Sequence, residues 1–234
     1  MGTEALHIAE AVKHPASLTL ALYSAGAIYL RQGELRQALP LLERGMQLCR
    51  EVNLPRYFSH IAPALGSAYI LDGRAADALP LLEEAVAQAV SNGRKDLQSF
   101  RIATLSEAHL HAGHPEAAST FGEQALDYSR TYNERGNEAY ALRILGDVAM
   151  HRDPPEFNQA KTHYQQALAL ADELGMRPLQ AHCHRGLGKL YSQTGQTEQA
   201  HAELSTSIDM YRDMEMTFWL PETEASLDEV KGRP

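Results

Sequence analysis

The fold is decided by a short stretch that returns along the chain as Ala25-Gly26-Ala27-Ile28-Tyr29, Leu65-Gly66-Ser67-Ala68-Tyr69 and Leu187-Gly188-Lys189-Leu190-Tyr191. Its glycine position recurs at steps of 40, 40, 40 and 42 residues, and is occupied in turn by Gly26, Gly66, Ser106, Gly146 and Gly188. A fixed period of this size is typical of stacked supersecondary units and not of one globular core.

Each unit is predicted to hold two helices separated by a turn. In the first unit, residues 18–30 carry small or apolar side chains at spacings of three and four, and residues 35–52 repeat the pattern. Gly26 and Ala38 leave no bulk where the two helices cross, so that a large residue such as Leu42 can fill the gap beside them.

The predicted ends of the second helices share one phase of the period. They are followed by Asn53, Gly93, Asn133 and Gly175, which are residue types that tolerate the left-handed conformation used to end helices. Glu215 stands at the next phase and is the one misfit. The third unit is the weakest match, because Ser106 replaces the glycine and Gly122 stands where a large residue is expected.

These motifs resemble the tetratricopeptide repeat, whose signature is Leu-Gly-x-x-Tyr in one helix and Ala-x-x-x-Phe in the next. The resemblance covers residues 14–231 and implies an all-α, right-handed solenoid of antiparallel helix pairs. Units of 40 to 42 residues are similar to those of bacterial signalling ATPases, cyclase-type proteins and maltose-activator-type regulators, and to those of kinesin light chains. We expect the chain to be a piece of a longer protein, or its N-terminal helix to be covered by another subunit.

We predict a single array over residues 1–234, with half-units at both ends. The half-repeat helix is 2–13, the five repeats are 14–53, 54–93, 94–133, 134–175 and 176–215, and the C-terminal capping helix is 216–231. Phe218 and Trp219 supply aromatic bulk suited to covering the last exposed helix face.

Composition and the absence of known motifs argue against several classes of function. The net charge of −9 argues against general nucleic-acid binding, which needs basic surface. No apolar run suggests a membrane segment, and Cys49 and Cys183 lie too far apart in the repeat register to predict a disulfide, so a cytoplasmic location is expected. No phosphate-binding glycine loop or nucleophile motif occurs, and the histidines of His109-Leu110-His111 would diverge on a helix. We therefore predict no enzyme activity, no cofactor and no metal site.

A candidate binding face follows from positions six before, three before and one after the glycine position, which share one side of each first helix. The resemblance implies that first helices line a concave surface in which a peptide lies. The predicted groove residues are Tyr23, His60, Phe100, Glu107, Tyr140, Arg143, Asp147, His182, Arg185 and Lys189. The rings would hold apolar or aromatic side chains, and Arg143 and Arg185 would take a carboxylate.

Several alternatives stay open. The rings could merely fill space between helices while the charges pair internally, as Arg143 can with Asp147 four residues later. Lys189 follows Arg185 at the same spacing, and these two cations are expected to repel. The chain could instead self-associate through the N-terminal half-repeat, or act as a sensor that binds a small peptide signal and changes its superhelical pitch.

Overall fold

The computed structural model describes residues 2–93 and 95–232, which form helices joined by short turns. Arg94, the predicted start of the third repeat, lies outside the described residues, as do Met1, Arg233 and Pro234. A short 3-10 helix, Thr217–Trp219, leads into the last of the α-helices. These are α1 Gly2–Val12, α2 Pro15–Gln32, α3 Leu35–Glu51, α4 Pro55–Leu71, α5 Ala75–Ser91, α6 Gln98–His111, α7 Pro115–Thr131, α8 Arg135–Met150, α9 Phe157–Glu173, α10 Arg177–Gln193, α11 Thr197–Asp213 and α12 Leu220–Lys231.

The helices pack as successive pairs. We call α2, α4, α6, α8 and α10 the first helices, and α3, α5, α7, α9 and α11 the second helices. Each first helix packs along the second helix that follows it, and α12 packs on α11. The fold is thus the all-helical solenoid predicted from the repeat period. The exact unit boundaries stay a prediction.

The second helices end as the sequence phase predicts. Asn53 and Asn133 have φ values of 52° and 54°, in the left-handed region. Glu215, predicted to be a misfit, adopts the same conformation with a φ of 56°. Two backbone hydrogen bonds hold it there, since its N–H donates to Arg212 at 3.1 Å and the next N–H, of Met216, donates to Tyr211 at 2.9 Å. The terminating geometry therefore persists although its usual residue types are absent.

Close approach of the two helices in a pair depends on the predicted small residues. A Cβ added at Gly26 would lie 2.7 Å from the Cγ of Leu42, and one added at Gly66 would lie 2.7 Å from the Cδ2 of Leu82. Such distances are shorter than any van der Waals contact, so these glycines let the backbones approach while the leucines fill the crossing. The predicted role of the glycine position is confirmed.

In the third pair, α6 and α7, the small residue and the larger residue at the crossing are exchanged between the two helices. Ser106 places its hydroxyl against α7 and donates a hydrogen bond to the carbonyl of Ala118 at 2.6 Å. The small residue lies on the second helix instead, because a Cβ added at Gly122 would lie 3.2 Å from the Oγ of Ser106. The same position is also approached from α8, where the Cδ2 of Leu145 would lie 2.7 Å from that Cβ. The two deviations of this unit therefore compensate each other within one packed contact.

The first helices form the narrower side of the solenoid. Each first helix contacts the next one along the array, from α2 through to α10. Within the described ranges, second helices of neighbouring pairs make no comparable contacts with one another. A row of helices that touches on one side and separates on the other must curve toward the touching side. We call the surface of the first helices on that side the inner face.

Candidate functional site

The ten predicted groove residues all lie on first helices, and all are partly buried. Their intermediate exposure fits positions between neighbouring first helices and not positions on a freely solvated surface. They divide into two sections that differ in chemistry. We call Tyr23, His60, Phe100 and Tyr140 the early section, and Glu107, Arg143, Asp147, His182, Arg185 and Lys189 the late section.

The early section is a series of rings paired across neighbouring helices. The ring centroids of Tyr23 on α2 and His60 on α4 are 6.2 Å apart, with a tilt of 48°. Those of Phe100 on α6 and Tyr140 on α8 are 6.4 Å apart and meet edge to face at 66°. Edge-to-face geometry leaves part of each ring surface open to a third group. This section can therefore accept another apolar or aromatic side chain.

Arg143 is the centre of an ion-pair network in the late section. Its guanidinium donates to Glu107 on the preceding first helix at 2.6 Å and to Asp147 on its own helix at 2.6 Å. The hydroxyl of Tyr164 donates to the other oxygen of Asp147 at 2.6 Å. Burial alone would lower the pKa of Arg143, but the carboxylates of Glu107 and Asp147 outweigh it and raise the pKa. The internal pairing of charges, left open as an alternative, therefore holds at this residue.

Arg185 and Lys189 share one carboxylate from α12. Arg185 lies 3.2 Å from Glu222, and the ammonium of Lys189 pairs with the other oxygen of the same carboxylate. The expectation that these two cations simply repel is wrong, because Glu222 lies between them. Burial raises the pKa of Glu222, but Lys189, Arg185 and, more weakly, His111 outweigh it and lower the pKa below 4.5.

His182 completes the late section in an aromatic cluster. Its Nδ1 is 2.6 Å from the hydroxyl of Tyr211, and its ring meets Trp219 edge to face at 4.9 Å. Tyr211 and Trp219 in turn stack at 5.8 Å. Burial lowers the pKa of His182 well below 6.5, and the charges of Arg185 and Arg143 lower it further. A neutral ring is the stable form, so His182 serves here as an apolar and hydrogen-bonding surface.

Sequence reasoning missed Glu222 and Tyr211 as partners of the late section. One signal was present, because Glu107 lies 36 residues before Arg143 and Glu222 lies 37 residues after Arg185. Opposite charges separated by about one repeat fall on adjacent helices of the same side, here α6 and α8 for the first pair and α10 and α12 for the second. Tyr211 offered no such signal, since it lies on a second helix.

Two surface cavities lie away from the inner face. One of about 310 Å³ lies between α3 and α4 and includes Glu43, Met46 and Tyr69. Another of about 340 Å³ lies between α11 and α12 and includes Asp209 and Arg212. Neither is lined by a predicted groove residue.

Two further searches of the described residues gave negative findings. Within the described residues, no group of three or more His, Cys, Asp or Glu side chains is placed to hold a metal ion. The ring of His109 stacks on that of Phe121 at 5.2 Å. None of the described helices combines the length and the apolarity that crossing a bilayer requires.

Comparisons with solved structures identify the fold. BtubC from P. vanneervenii is 19% identical with a TM-score of 0.61, and the match covers 91% of this chain and 87% of that one. A Rap protein complexed with competence and sporulation factor is 15% identical with a TM-score of 0.72, over 91% of this chain and 62% of that one. A signal transduction ATPase with a tetratricopeptide repeat sensor, from Pyrococcus horikoshii, is 18% identical with a TM-score of 0.61, over 91% of this chain and 32% of that one. The chain thus spans less than two thirds of the latter two proteins.

Sequence comparisons agree. A tetratricopeptide-repeat family model matches residues 138–213, and a second model of the same repeat matches residues 19–55. No curated protein sequence matches the chain significantly. The repeat period, the small-residue helix crossings and both family matches establish the chain as a tetratricopeptide-repeat protein.

Proposed function

We propose that this protein captures a peptide segment of a partner protein on its inner face, as a non-catalytic scaffold in a cytoplasmic signalling or regulatory assembly of bacterial type. Tetratricopeptide-repeat proteins are generally non-catalytic scaffolds. The Rap protein of the same fold, solved in complex with a factor, supports the proposal by analogy of fold alone.

The early section carries the proposal. Its two ring pairs, Tyr23 with His60 and Phe100 with Tyr140, come from four successive first helices and are partly exposed. Rings bury large areas at small entropic cost, and a contact of this kind is worth about 0.5–1.5 kcal/mol beyond area burial. An extended or helical segment bearing apolar side chains can contact both pairs at once.

The late section would fix the position of the bound peptide along the inner face, because one of its arginines can exchange an internal carboxylate for one of the peptide. Arg143 has two carboxylates and little exposed surface, with 12% of its side chain accessible. Arg185 has one carboxylate, from Glu222, whose side chain is 60% exposed. The Arg185 side chain is 22% exposed, so this pair is open to solvent only on the side of Glu222. A ligand carboxylate that replaces Glu222 there restores the contact it displaces, so the exchange costs little. In this proposal Arg185 takes the ligand carboxylate, and Arg143 mainly holds the first helices together.

A library of random peptides displayed on phage tests the proposal. Peptides selected on the wild-type protein are expected to bind the variant Phe100→Ala/Tyr140→Ala about tenfold or more weakly, because two ring contacts are lost. The matched control is Tyr132→Ala, which removes a tyrosine that is 40% exposed beyond the end of α7. Equal binding to the ring variant and to the wild type would exclude the inner face as the site.

A second candidate function, self-association, is supported by one position at the N-terminal end. Two residues after the glycine position stand Ala68, Ala108, Val148 and Leu190, each no more than 2% exposed. Ile28 occupies the same position in the first unit and is 49% exposed. Ile8, Val12 and Leu20 lie on the same two helices, α1 and α2, and are 48–64% exposed. The surface that a neighbouring helix covers in later units is therefore open here.

A second copy of the chain is the occupant that we propose for this surface. The opposite end of the array is unsuited to it, because α12 exposes Glu222, Asp228 and Glu229. An apolar surface that finds no complement at the other end pairs best with itself about a two-fold axis. Light scattering is then expected to give twice 25.9 kDa for the wild type. The variant Leu20→Glu/Ile28→Glu should be monomeric, whereas Val90→Glu, at another exposed apolar residue, should not. A wild-type monomer at all concentrations would contradict this candidate.

A further inference from the structure

The C-terminal segment touches the first helix pair, far away in sequence. Phe218 and Trp219 pack against Gly33, which forms the turn between α2 and α3. A Cβ added at Gly33 would overlap the Cβ of Phe218 and would lie 3.3 Å from the Cζ3 of Trp219. In a solenoid each unit normally contacts only its neighbours. This contact joins the two ends of the array instead.

Two more early helices end near the same segment. Leu71, the last residue of α4, packs against the cluster that contains Tyr211, Met216 and Trp219. His111, the last residue of α6, is among the charges that act on Glu222. The C-terminal ends of three early first helices therefore face one segment, which closes that edge of the inner face.

The closing contact is small compared with the contacts that hold the segment in place. Trp219 is 7% exposed and is held by Tyr211 and His182 of the late section. Phe218, which faces Gly33, remains 39% exposed. The array can therefore open at Gly33 while Trp219 stays packed on α10 and α11.

Gly33 differs from its counterparts in the other turns. Gly73, Gly113 and Gly195 occupy equivalent turns with φ values of 76–80°, close to the 80° of Gly33. A Cβ added at any of those three would meet nothing within 4 Å. The turn conformation is shared, and only the contact with Phe218 is particular to Gly33.

We infer that the contact of Phe218 and Trp219 with Gly33 and Leu71 is a closure that must open before a partner segment enters the inner face. The inference rests on the proposed function for its second half. Its first half, that the array is held closed at this point, stands on the contacts alone. A partner that binds between the ends of the array would hold them apart, and the closure would set its rate of entry.

Gly33→Asn tests the closure, with Gly73→Asn as the matched control. Asparagine tolerates the left-handed conformation of both turns, but only at Gly33 would its side chain collide with Phe218. Small-angle X-ray scattering is expected to show a larger radius of gyration for Gly33→Asn and no change for Gly73→Asn. Trp219 is the only tryptophan of the chain, so acrylamide quenching of its fluorescence should rise in the first variant alone.

Phe218→Ala provides a second route to the open state, because it removes the closing side chain and leaves every turn unchanged. Circular dichroism checks that helical content is retained in all three variants. If Gly33→Asn and Phe218→Ala both keep the wild-type radius and quenching, the closure is excluded.

Peptides selected from the phage library test the regulatory half. They are expected to associate faster with Gly33→Asn and Phe218→Ala than with the wild type or Gly73→Asn. An expanded array with unchanged association rates would reject gating and leave peptide capture intact. The variants could also be expanded while no peptide is selected on them or on the wild type. That result would reject peptide capture and leave the structural closure intact.

Discussion

The early and late sections of the inner face place side chains at the same helix positions but in different surroundings. His60 and His182 both lie six residues before the glycine position of their helices. His60 faces the partly exposed ring of Tyr23, whereas His182 is enclosed by Tyr211 and Trp219. The difference arises because α12 and the short helix before it cover the late section. A solenoid can thus reserve part of its inner face for its own C-terminal segment and leave the rest for a partner.

Of the substitutions that test this difference between the two sections, removing Trp219 should have the largest effect on stability. Trp219→Ala leaves a cavity between His182 and Tyr211, and substitutions of this kind cost about 3–5 kcal/mol. Denaturant unfolding is expected to show that loss, and hydrogen exchange should show it mainly in α10, α11 and α12. Tyr132→Ala, at a ring that is 40% exposed and contacts Tyr128 and Lys95, should cost no more than about 1.5 kcal/mol. Equal loss of protection in α2 and α10 would mean that the two sections unfold as one unit.

Substitutions of two carboxylates, Glu107 and Glu222, should have intermediate effects on stability. Glu107→Gln takes a partner from Arg143, whose side chain is only 12% exposed, and should cost about 1.5–3 kcal/mol. Glu222→Gln weakens a pair whose glutamate side chain is 60% exposed, and should cost about 1 kcal/mol or less. Because the pKa of Glu222 is lowered in the folded protein, its contribution is present above pH 4.5 and is lost as the pH falls through the lowered value. The difference between the wild type and Glu222→Gln should therefore vanish in acid. A larger loss for Glu222→Gln than for Glu107→Gln at neutral pH would reverse the assignment.

The smallest expected effect is a pH dependence of the late section. The pKa of His182 is lowered by burial and by Arg185 and Arg143, so the unfolded chain binds a proton that the folded chain excludes. Stability contributed by the neutral ring is complete above pH 6.5 and falls as the pH drops from there toward the lowered value. In urea titrations between pH 7.5 and 5.5, His182→Gln should lose less stability than the wild type. Parallel slopes for the two proteins would show that His182 titrates normally.

The sequence predicted the features that repeat. The contact of Gly26 with Leu42 follows from residue size at a fixed helical spacing, and the structure confirms it. The exchange of Ser106 and Gly122 was invisible as a compensation, because a repeat pattern registers two separate departures and not the contact that joins them. The contact of Phe218 with Gly33 depends on rotation accumulated over five helix pairs, which no local pattern encodes. Whether the inner face binds a peptide stays a prediction.

The reversed crossing of α6 and α7 limits how such an array can be recombined. If α4 replaced α6, Gly66 would face Gly122, and only Leu145 of α8 would remain beside the crossing. If α6 instead packed on α5, Ser106 would meet Leu82, where an added Cβ already lies 2.7 Å away at the equivalent Gly66. Each first helix is therefore fitted to its own second helix, and α7 is fitted on its other side to Leu145 of α8, so α6, α7 and α8 can be duplicated or moved only together.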